Sequence, residues 1–260
     1  MRVTFTLEPR GRSCVFPIHY PRFLQAAFYN LLTPEVAEFV HDDGFPAGGR
    51  RLRLFAFSRL LGDHRLRRQT KEIEFAGRVQ LVVSSPVETV VRDLANAILR
   101  HESLRVGSEI LALKQVALAE PVVSGPRLTV KTLSPITVYS TMHKAEGTPY
   151  TVFFHPREEE FGRLVGLNLA RKYAAYHGKD SPFPPDAVRT RPLGRVQQNI
   201  VLYKGGVIKG YSGRFAVEGP PELLQMGLDA GLGGKNSQGF GLVEVEGGVA
   251  EGQVDLAAKY

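Results

Sequence analysis

Gly231-Leu232-Gly233-Gly234-Lys235-Asn236-Ser237-Gln238-Gly239-Phe240-Gly241 is the stretch on which the reading of this chain turns. Five glycines in eleven residues let a backbone come very close to a ligand or to a neighbouring segment. A phosphate-cradling P-loop needs Gly, four residues, then Gly-Lys-Ser/Thr. Counting back from Gly234-Lys235 puts Asp229 where the first glycine belongs, and Asn236 stands where Ser or Thr belongs. A dinucleotide-binding loop must follow a strand and open a helix. Here Pro220 to Leu228 reads as a short helix before the loop and Gly241 to Val245 as a strand after it, so the topology is reversed. Kinase and dehydrogenase chemistry thereby loses its main support. What remains is a polar loop carrying Lys235, Asn236, Ser237 and Gln238, suited to clasping a phosphodiester chain or to packing helix on strand.

Working outward, Asn199 to Lys204 and Val207 to Val217 read as strands around Gly205-Gly206, a hairpin-turn signal. Before them, Ser181 to Pro185 is a loop. Pro156 to Tyr176 is a helix whose Phe161, Leu164, Val165, Leu169, Tyr173 and Tyr176 share a face. Leu128 to Leu133 and Thr137 to Ser140 read as strands. The first half shows the same plan. Val3, Phe5 and Leu7 alternate with polar residues over Arg2 to Glu8, a half-buried strand. Pro21 to Leu32 has helical spacing. Thr33-Pro34 reads as N-cap and first position of a short helix ending near His41 and stopped by Asp42-Asp43-Gly44. Leu52 to Ser58 and Ile73 to Ser84 read as strands. Pro86 opens a helix with Val87, Val90, Val91, Leu94, Ala97 and Ile98 on one face, and Ile110 to Leu118 closes the unit. Strand, helix, strand, strand, helix, strand is the ferredoxin-like order. Pro121 to Pro126 suits a linker or an edge crossing. The expectation is an α+β protein of two tandem ferredoxin-like domains, residues 1–122 and 123–260.

Apolar residues make up 43% of the 260 and charged residues 23%, which excludes disordered and low-complexity classes. The single cysteine, Cys14, excludes an intrachain disulfide and a thiolate metal cluster. The apolar runs fall short of the ~18–20 residues that span a membrane, and Met1 to Arg12 lacks a signal-peptide pattern. A soluble, cytoplasmic protein with no membrane partner is expected. Net charge is +7, and its distribution matters more than its size. Between Arg50 and Lys71 stand eight basic residues and one acid, Asp63, while the other 238 residues balance at 25 against 25. Seven of the eight are arginine, which forks onto phosphate and stacks on bases. Such a local excess suits a solvated basic face or a polyanion, above all nucleic acid.

The loop Gly231 to Gly241 resembles the C-terminal glycine-rich signature of the RAMP superfamily of CRISPR-associated proteins. The match is best to family six, the endoribonucleases that process repeat RNA. Val15 to Leu32 (VFPIHYPRFLQAAFYNLL), Leu133-Ser134-Pro135-Ile136, and the run from Lys209 to Phe240 fit the same family in order. Non-catalytic relatives share the glycine-rich signature, so activity rests on an N-terminal site. Archetypal members place a tyrosine on the first helix, a histidine ending the next and a lysine just beyond. Tyr29 matches the tyrosine and His41 the histidine. The lysine position falls on Arg53, with Arg50 and Arg51 as neighbours able to serve instead; arginine keeps the charge and loses the point geometry.

The resemblance implies cutting of CRISPR repeat RNA into guide RNAs without metal or cofactor, through attack of the RNA 2′-OH. The products are a 2′,3′-cyclic phosphate and a 5′-OH. Such a reaction needs a group that moves protons near neutrality, as histidine does, and a cation for the developing phosphorane charge. His19 is the rival histidine. His64 lies in the basic segment, and His101, His143, His155 and His177 read as surface or structural. RNA contacts are expected from Arg50, Arg51, Arg65, Arg67, Arg68, Lys204, Lys209, Lys235, Asn236, Ser237 and Gln238. A multi-subunit effector complex and a homodimer are the further partners in view. The other reading is a non-catalytic RNA-binding subunit of such a complex, which has no need of Tyr29 and His41 together.

Overall fold

The computed structural model describes residues 1–184, 186–203 and 205–247, with His41 described in its backbone alone. The first half contains β1 (Arg2–Pro9), β2 (Ser13–Pro17), α1 (Pro21–Leu31), α2 (Pro34–Glu38), β3 (Phe45–Ala47), β4 (Arg50–Leu52), β5 (Ala56–Phe57), β6 (His64–Arg67), β7 (Glu72–Ala76), β8 (Val79–Ser84), α3 (Glu88–His101), β9 (Ser103–Val106) and β10 (Glu109–Ala119). The second contains β11 (Arg127–Thr132), β12 (Tyr139–His143), β13 (Pro149–Phe153), α4 (Glu159–His177), β14 (Arg189–Tyr203), β15 (Gly206–Glu218), α5 (Pro221–Ala230) and β16 (Val243–Val245).

The first sheet runs β5-β8-β1-β10-β9 and the second β14-β15-β11-β16. In each half the first strand lies between the third and the last, antiparallel to both. This is the strand order of a ferredoxin-like unit, found twice. The alternation in β1 works as read: Val3, Phe5 and Leu7 are fully buried beneath α1 and α3, whose Leu24, Phe28, Val91, Leu94 and Ile98 complete that core. Phe161, Val165 and Leu169 of α4 pack with Phe215 and Val217 of β15 in the second. Proline opens α1, α2 and α5 at a position where its missing N–H is not needed. Thr33 stands at the N-cap of α2, but its side chain makes no capping bond.

Several boundaries differ from the sequence reading. Leu52 to Ser58 is not one strand: β4 pairs with β3 in a small hairpin, and β5 joins the main sheet. Ile73 to Ser84 splits at Gly77-Arg78 into β7, which belongs to a separate three-stranded sheet with β2 and β6, and β8. Thr137 to Ser140 leads into a two-stranded arm, β12–β13, outside the main sheet. The strand expected from Asn199 begins at Arg189, with a register shift between Leu193 and Gln197. Pro185, Lys204 and residues 248–260 lie outside the described residues, and with them part of the expected loop at 181–185 and the end of the strand expected at 199–204.

The halves are joined by polar contacts and by one hairpin. Arg2 Nη2 donates to Val243 O at 2.8 Å, Ser84 Oγ to Leu228 O at 3.2 Å, and Arg59 N to Leu133 O at 2.9 Å. Phe45, Leu52 and Leu54, from the β3–β4 hairpin and the residues after it, pack into the second half's core. Phe45 also meets the Tyr176 ring of α4 at 5.8 Å. That packing carries Arg50, Arg51 and Arg53 to the junction of the two halves.

Candidate nucleic-acid interface and active cleft

The junction holds two adjoining clefts. The first, about 590 Å³, is lined by Gln25 and Tyr29 of α1, by Arg53, by Tyr203 at the end of β14 and by Gln238 of the glycine-rich loop. Burial pushes the Tyr29 hydroxyl above its ordinary pKa, and the Arg53 charge pulls the other way. Tyr203 is shifted likewise, by burial first and by Arg53 second. Its hydroxyl donates to Gln25 Oε1 at 2.6 Å. Arg53 Nε donates to Val40 O at 2.9 Å. This holds the guanidinium against the turn Phe39–Asp43, whose third residue is His41. Tyr29 and Arg53 therefore share one cleft, with the His41 backbone next to the carbonyl that anchors Arg53.

The second cleft, about 670 Å³, runs between the β3–β4 hairpin, α4 and the glycine-rich loop. Arg50, Arg51, Arg53, Arg163, Arg171 and Lys235 line it, and no carboxylate does among the described residues. Arg163 is held by a bidentate pair with Glu160, and Arg51 Nη1 donates to Asp43 O at 2.5 Å. Lys235 lies over the Tyr139 ring at 4.9 Å, and burial lowers its pKa.

The arginine run does not stay together. Arg50, Arg51 and Arg53 reach the clefts. Arg59 sits over Phe240 at 5.6 Å. Arg65, Arg67 and Arg68 are exposed on or beside β6, away from both linings, and Arg67 pairs with Glu74 at 2.8 Å. A run of charge in sequence is cut here by strand pairing. Lys209 is exposed on β15 and lines neither cleft. Lys204 falls outside the described residues.

Within the loop the polar side chains divide. Gln238 faces the first cleft and Ser237, though buried, lines the second. Asn236 is buried and serves the loop itself: Nδ2 donates to Leu232 O and Phe240 O, both at 3.1 Å, and Oδ1 accepts from Lys172. Lys172 of α4 is 3% exposed. Burial pulls its pKa down to about 7. Sequence reasoning missed it, yet a signal was there. Val165, Leu169, Lys172 and Tyr176 follow helical spacing, so the lysine occupies a position of the apolar face. Tyr203 and Gln25 were also missed, because only the hairpin pairing brings β14 to α1.

His19 has a different duty. Its Nδ1 accepts from Leu202 N at 3.3 Å, tying β14 to the loop before α1. Burial lowers its pKa, reinforced by Arg22, Arg59 and Lys71. His64 stacks near Phe75, His155 meets Tyr211 edge-on, and His177 packs on Tyr173. Among the described residues, no three His, Cys, Asp or Glu side chains converge as a metal site would require.

The chain is similar to known proteins over most of its length. Residues 118–245 match the family model described as CRISPR associated protein Cas6, C-terminal. A CRISPR-associated endoribonuclease Cas6 of Methanocaldococcus jannaschii is 28% identical over 250 residues, covering 94% of this chain and 92% of the relative. One of Pyrococcus furiosus is 27% identical, covering 95% and 90%. Among solved structures, a Cas6-related protein of Pyrococcus furiosus superposes with a TM-score of 0.82 at 20% identity, covering 94% of this chain and 98% of that one. A RAMP protein described as binding different RNA substrates gives 0.80, also at 20% identity, covering 94% and 99%. The chain thus shares the fold of these proteins: two ferredoxin-like units with a glycine-rich loop between the last helix and the last strand. Residues 118–245 carry the C-terminal domain of the Cas6 family, and the chain over nearly its whole length is similar in sequence to Cas6 endoribonucleases.

Proposed function

We propose that the chain is an endoribonuclease that cuts CRISPR repeat RNA into guide RNAs by metal-independent 2′-OH attack. The observation that carries this reading is the meeting of Tyr29 and Arg53 in one cleft, lined by no carboxylate among the described residues, with Arg53 anchored on the carbonyl of the residue preceding His41. RNA brings its own nucleophile. The 2′-oxygen bonds to phosphorus as the bond to the 5′-oxygen breaks, so a proton must leave the first oxygen and another must reach the second. His41 moves protons, Tyr29 orients the phosphate or shares the transfer, and Arg53 faces the charge that builds on the non-bridging oxygens. The products are a 2′,3′-cyclic phosphate and a 5′-OH. The groove of Arg50, Arg51, Arg171 and Lys235 leads the strand to that cleft.

The test is cleavage of end-labelled repeat RNA in excess EDTA, with the ends of both products identified. Undiminished cutting with a cyclic phosphate is expected. Tight binding without cutting would instead make the chain a non-catalytic RNA-binding subunit of an effector complex.

Binding should depend steeply on salt. Four or five phosphate contacts at about −0.7 each give a slope of log K against log salt of roughly −3 for a single strand. Replacing both Arg50 and Arg171 by Ala should flatten the slope by about 1.4. Anisotropy titrations over a range of KCl concentrations would read it. A wild-type slope near zero would remove the groove from the binding surface.

A further inference from the structure

The glycine-rich loop is built around one ammonium group. Lys172 Nζ donates to Gly231 O at 2.6 Å, Asn236 Oδ1 at 2.8 Å, Gly233 O at 3.1 Å and Ala230 O at 3.3 Å. Three donors on one nitrogen suit convergent carbonyls. No apolar side chain could draw those oxygens together, because buried acceptors without a donor each cost about 1–3 kcal/mol. The Asn236 amide is oriented by its partners without ambiguity, since a flip would set its NH₂ against the ammonium and its oxygen against two carbonyls. Asn236 opens a single 3₁₀ turn, Asn236–Gln238, closed by Gly239 N to Asn236 O at 3.0 Å. Lys235 enters that turn in the left-handed region, at φ 58°. The last residue of the turn is Gln238, which lines the cleft with Tyr29, Arg53 and Tyr203. Its Oε1 is buried and has no hydrogen-bond partner among the described residues. Such an acceptor is suited to a ligand donor, and on RNA the candidates are a 2′-OH or a base amino group.

We propose that Lys172 is a positioning residue for the cutting reaction: by drawing Gly231, Gly233 and Asn236 to one point it sets the turn that holds Gln238 in the cleft. Gln238 in turn fixes the strand beside Tyr29 and Arg53. The inference rests on the reading of that cleft as the cutting site. Lys172 lies all but buried in the groove floor, its ammonium turned to the loop oxygens.

The experiment removes the ammonium and returns it. Lys172→Ala is expected to slow single-turnover cleavage of repeat RNA by about 10–100-fold, the scale of a small misplacement of reacting groups, with Kd changed less than about threefold. Millimolar n-propylammonium, which replaces the missing carbons and charge, should restore most of the rate; n-propanol should not. Gln238→Ala should lose a similar factor, and the double variant should be no slower than either single one, the mark of a shared path. Lys172→Met, which keeps the stem and drops the charge, should behave as Lys172→Ala does without added amine. Three results would overturn the proposal: a charge-free variant within twofold of wild type, equal rescue by propanol, or additive losses. Where neither lysine variant folds, Gln238→Ala decides alone, since a rate within twofold of wild type removes the far end of the path. Should the wild type cut no repeat RNA, the functional reading fails on its own. Amide hydrogen exchange over residues 232–241 then judges Lys172 separately. Faster exchange in Lys172→Ala, reversed by propylammonium, supports the organising role, and unchanged exchange overturns it.

Discussion

His41→Ala is expected to slow cleavage of repeat RNA by about 10²–10⁴, the usual worth of general acid–base help, while Kd moves less than about threefold. The separation follows from where the charges sit. Arg50, Arg51, Arg171 and Lys235 line the groove, whereas His41 belongs to the turn Phe39–Asp43, reached through Arg53 on Val40 O. Removing an imidazole there takes nothing from the phosphate contacts that dominate affinity. The loss should match, in kind, that of wild type on RNA carrying a single 2′-deoxy sugar at the cut site, where the nucleophile itself is missing. Single-turnover rates with enzyme in excess read both. A His41→Ala rate within a few-fold of wild type would move the proton-transfer role to another group. His19 is a poor heir. Its Nδ1 is engaged by Leu202 N, and burial with three neighbouring cations disfavours its protonated form.

The fold was legible in this sequence because its main periods are clean. Val3, Phe5 and Leu7 alternate, Val91, Leu94 and Ile98 keep helical spacing, and each of these faces one core. The same signals failed where two strands of different sheets abut. Ile73 to Ser84 keeps a strand-like composition across Gly77-Arg78, and nothing local says that the residues before and after pair with different partners. The start of β14 was hidden by Pro192 and Gly194. Both residues argue against a central strand, but β14 is an edge strand with a register shift. The candidate site was legible only in part. Arg53 stood out as one charge of the basic run, and its place in the site, like those of Tyr29 and His41, came through the family resemblance. Tyr203 and Gln25 meet across a sequence separation of 178 residues, which no window of sequence contains. Asn236 was visible as a polar loop residue suited to RNA, yet its amide is consumed inside the loop. A lysine on an apolar helix face reads as an intrusion until four oxygens are seen around it.

Gly241→Ala is expected to be the most damaging glycine-to-alanine change among the described residues, at about 3–5 kcal/mol. Gly241 adopts φ +76°, where a non-glycine residue costs about 1–2 kcal/mol. The larger part is collision. An added Cβ would stand 2.0 Å from Leu232 O and 2.6 Å from Asn236 Nδ2. Neither atom can retreat. Leu232 O accepts from Asn236 Nδ2, Leu232 N donates to Gly241 O at 2.8 Å, and Asn236 is held by Lys172. Forcing a methyl into such a packed site adds about 1–3 kcal/mol or somewhat more. Gly178→Ala is the control. It ends α4 at φ +64° with nothing within 4 Å of its added Cβ, so it carries the backbone cost alone. At about 2–4 °C per kcal/mol for a chain of this size, Gly241→Ala should lower Tm by roughly 10 °C or more, and Gly178→Ala by only a few degrees. Melting curves of the two variants side by side separate the terms. Equal shifts would mean that the loop relaxes around the methyl, and that its closure over Lys172 is far looser than these contacts require. The unequal shifts expected here would place the cost in the loop's packing, because both glycines have a positive φ and they differ in what surrounds them.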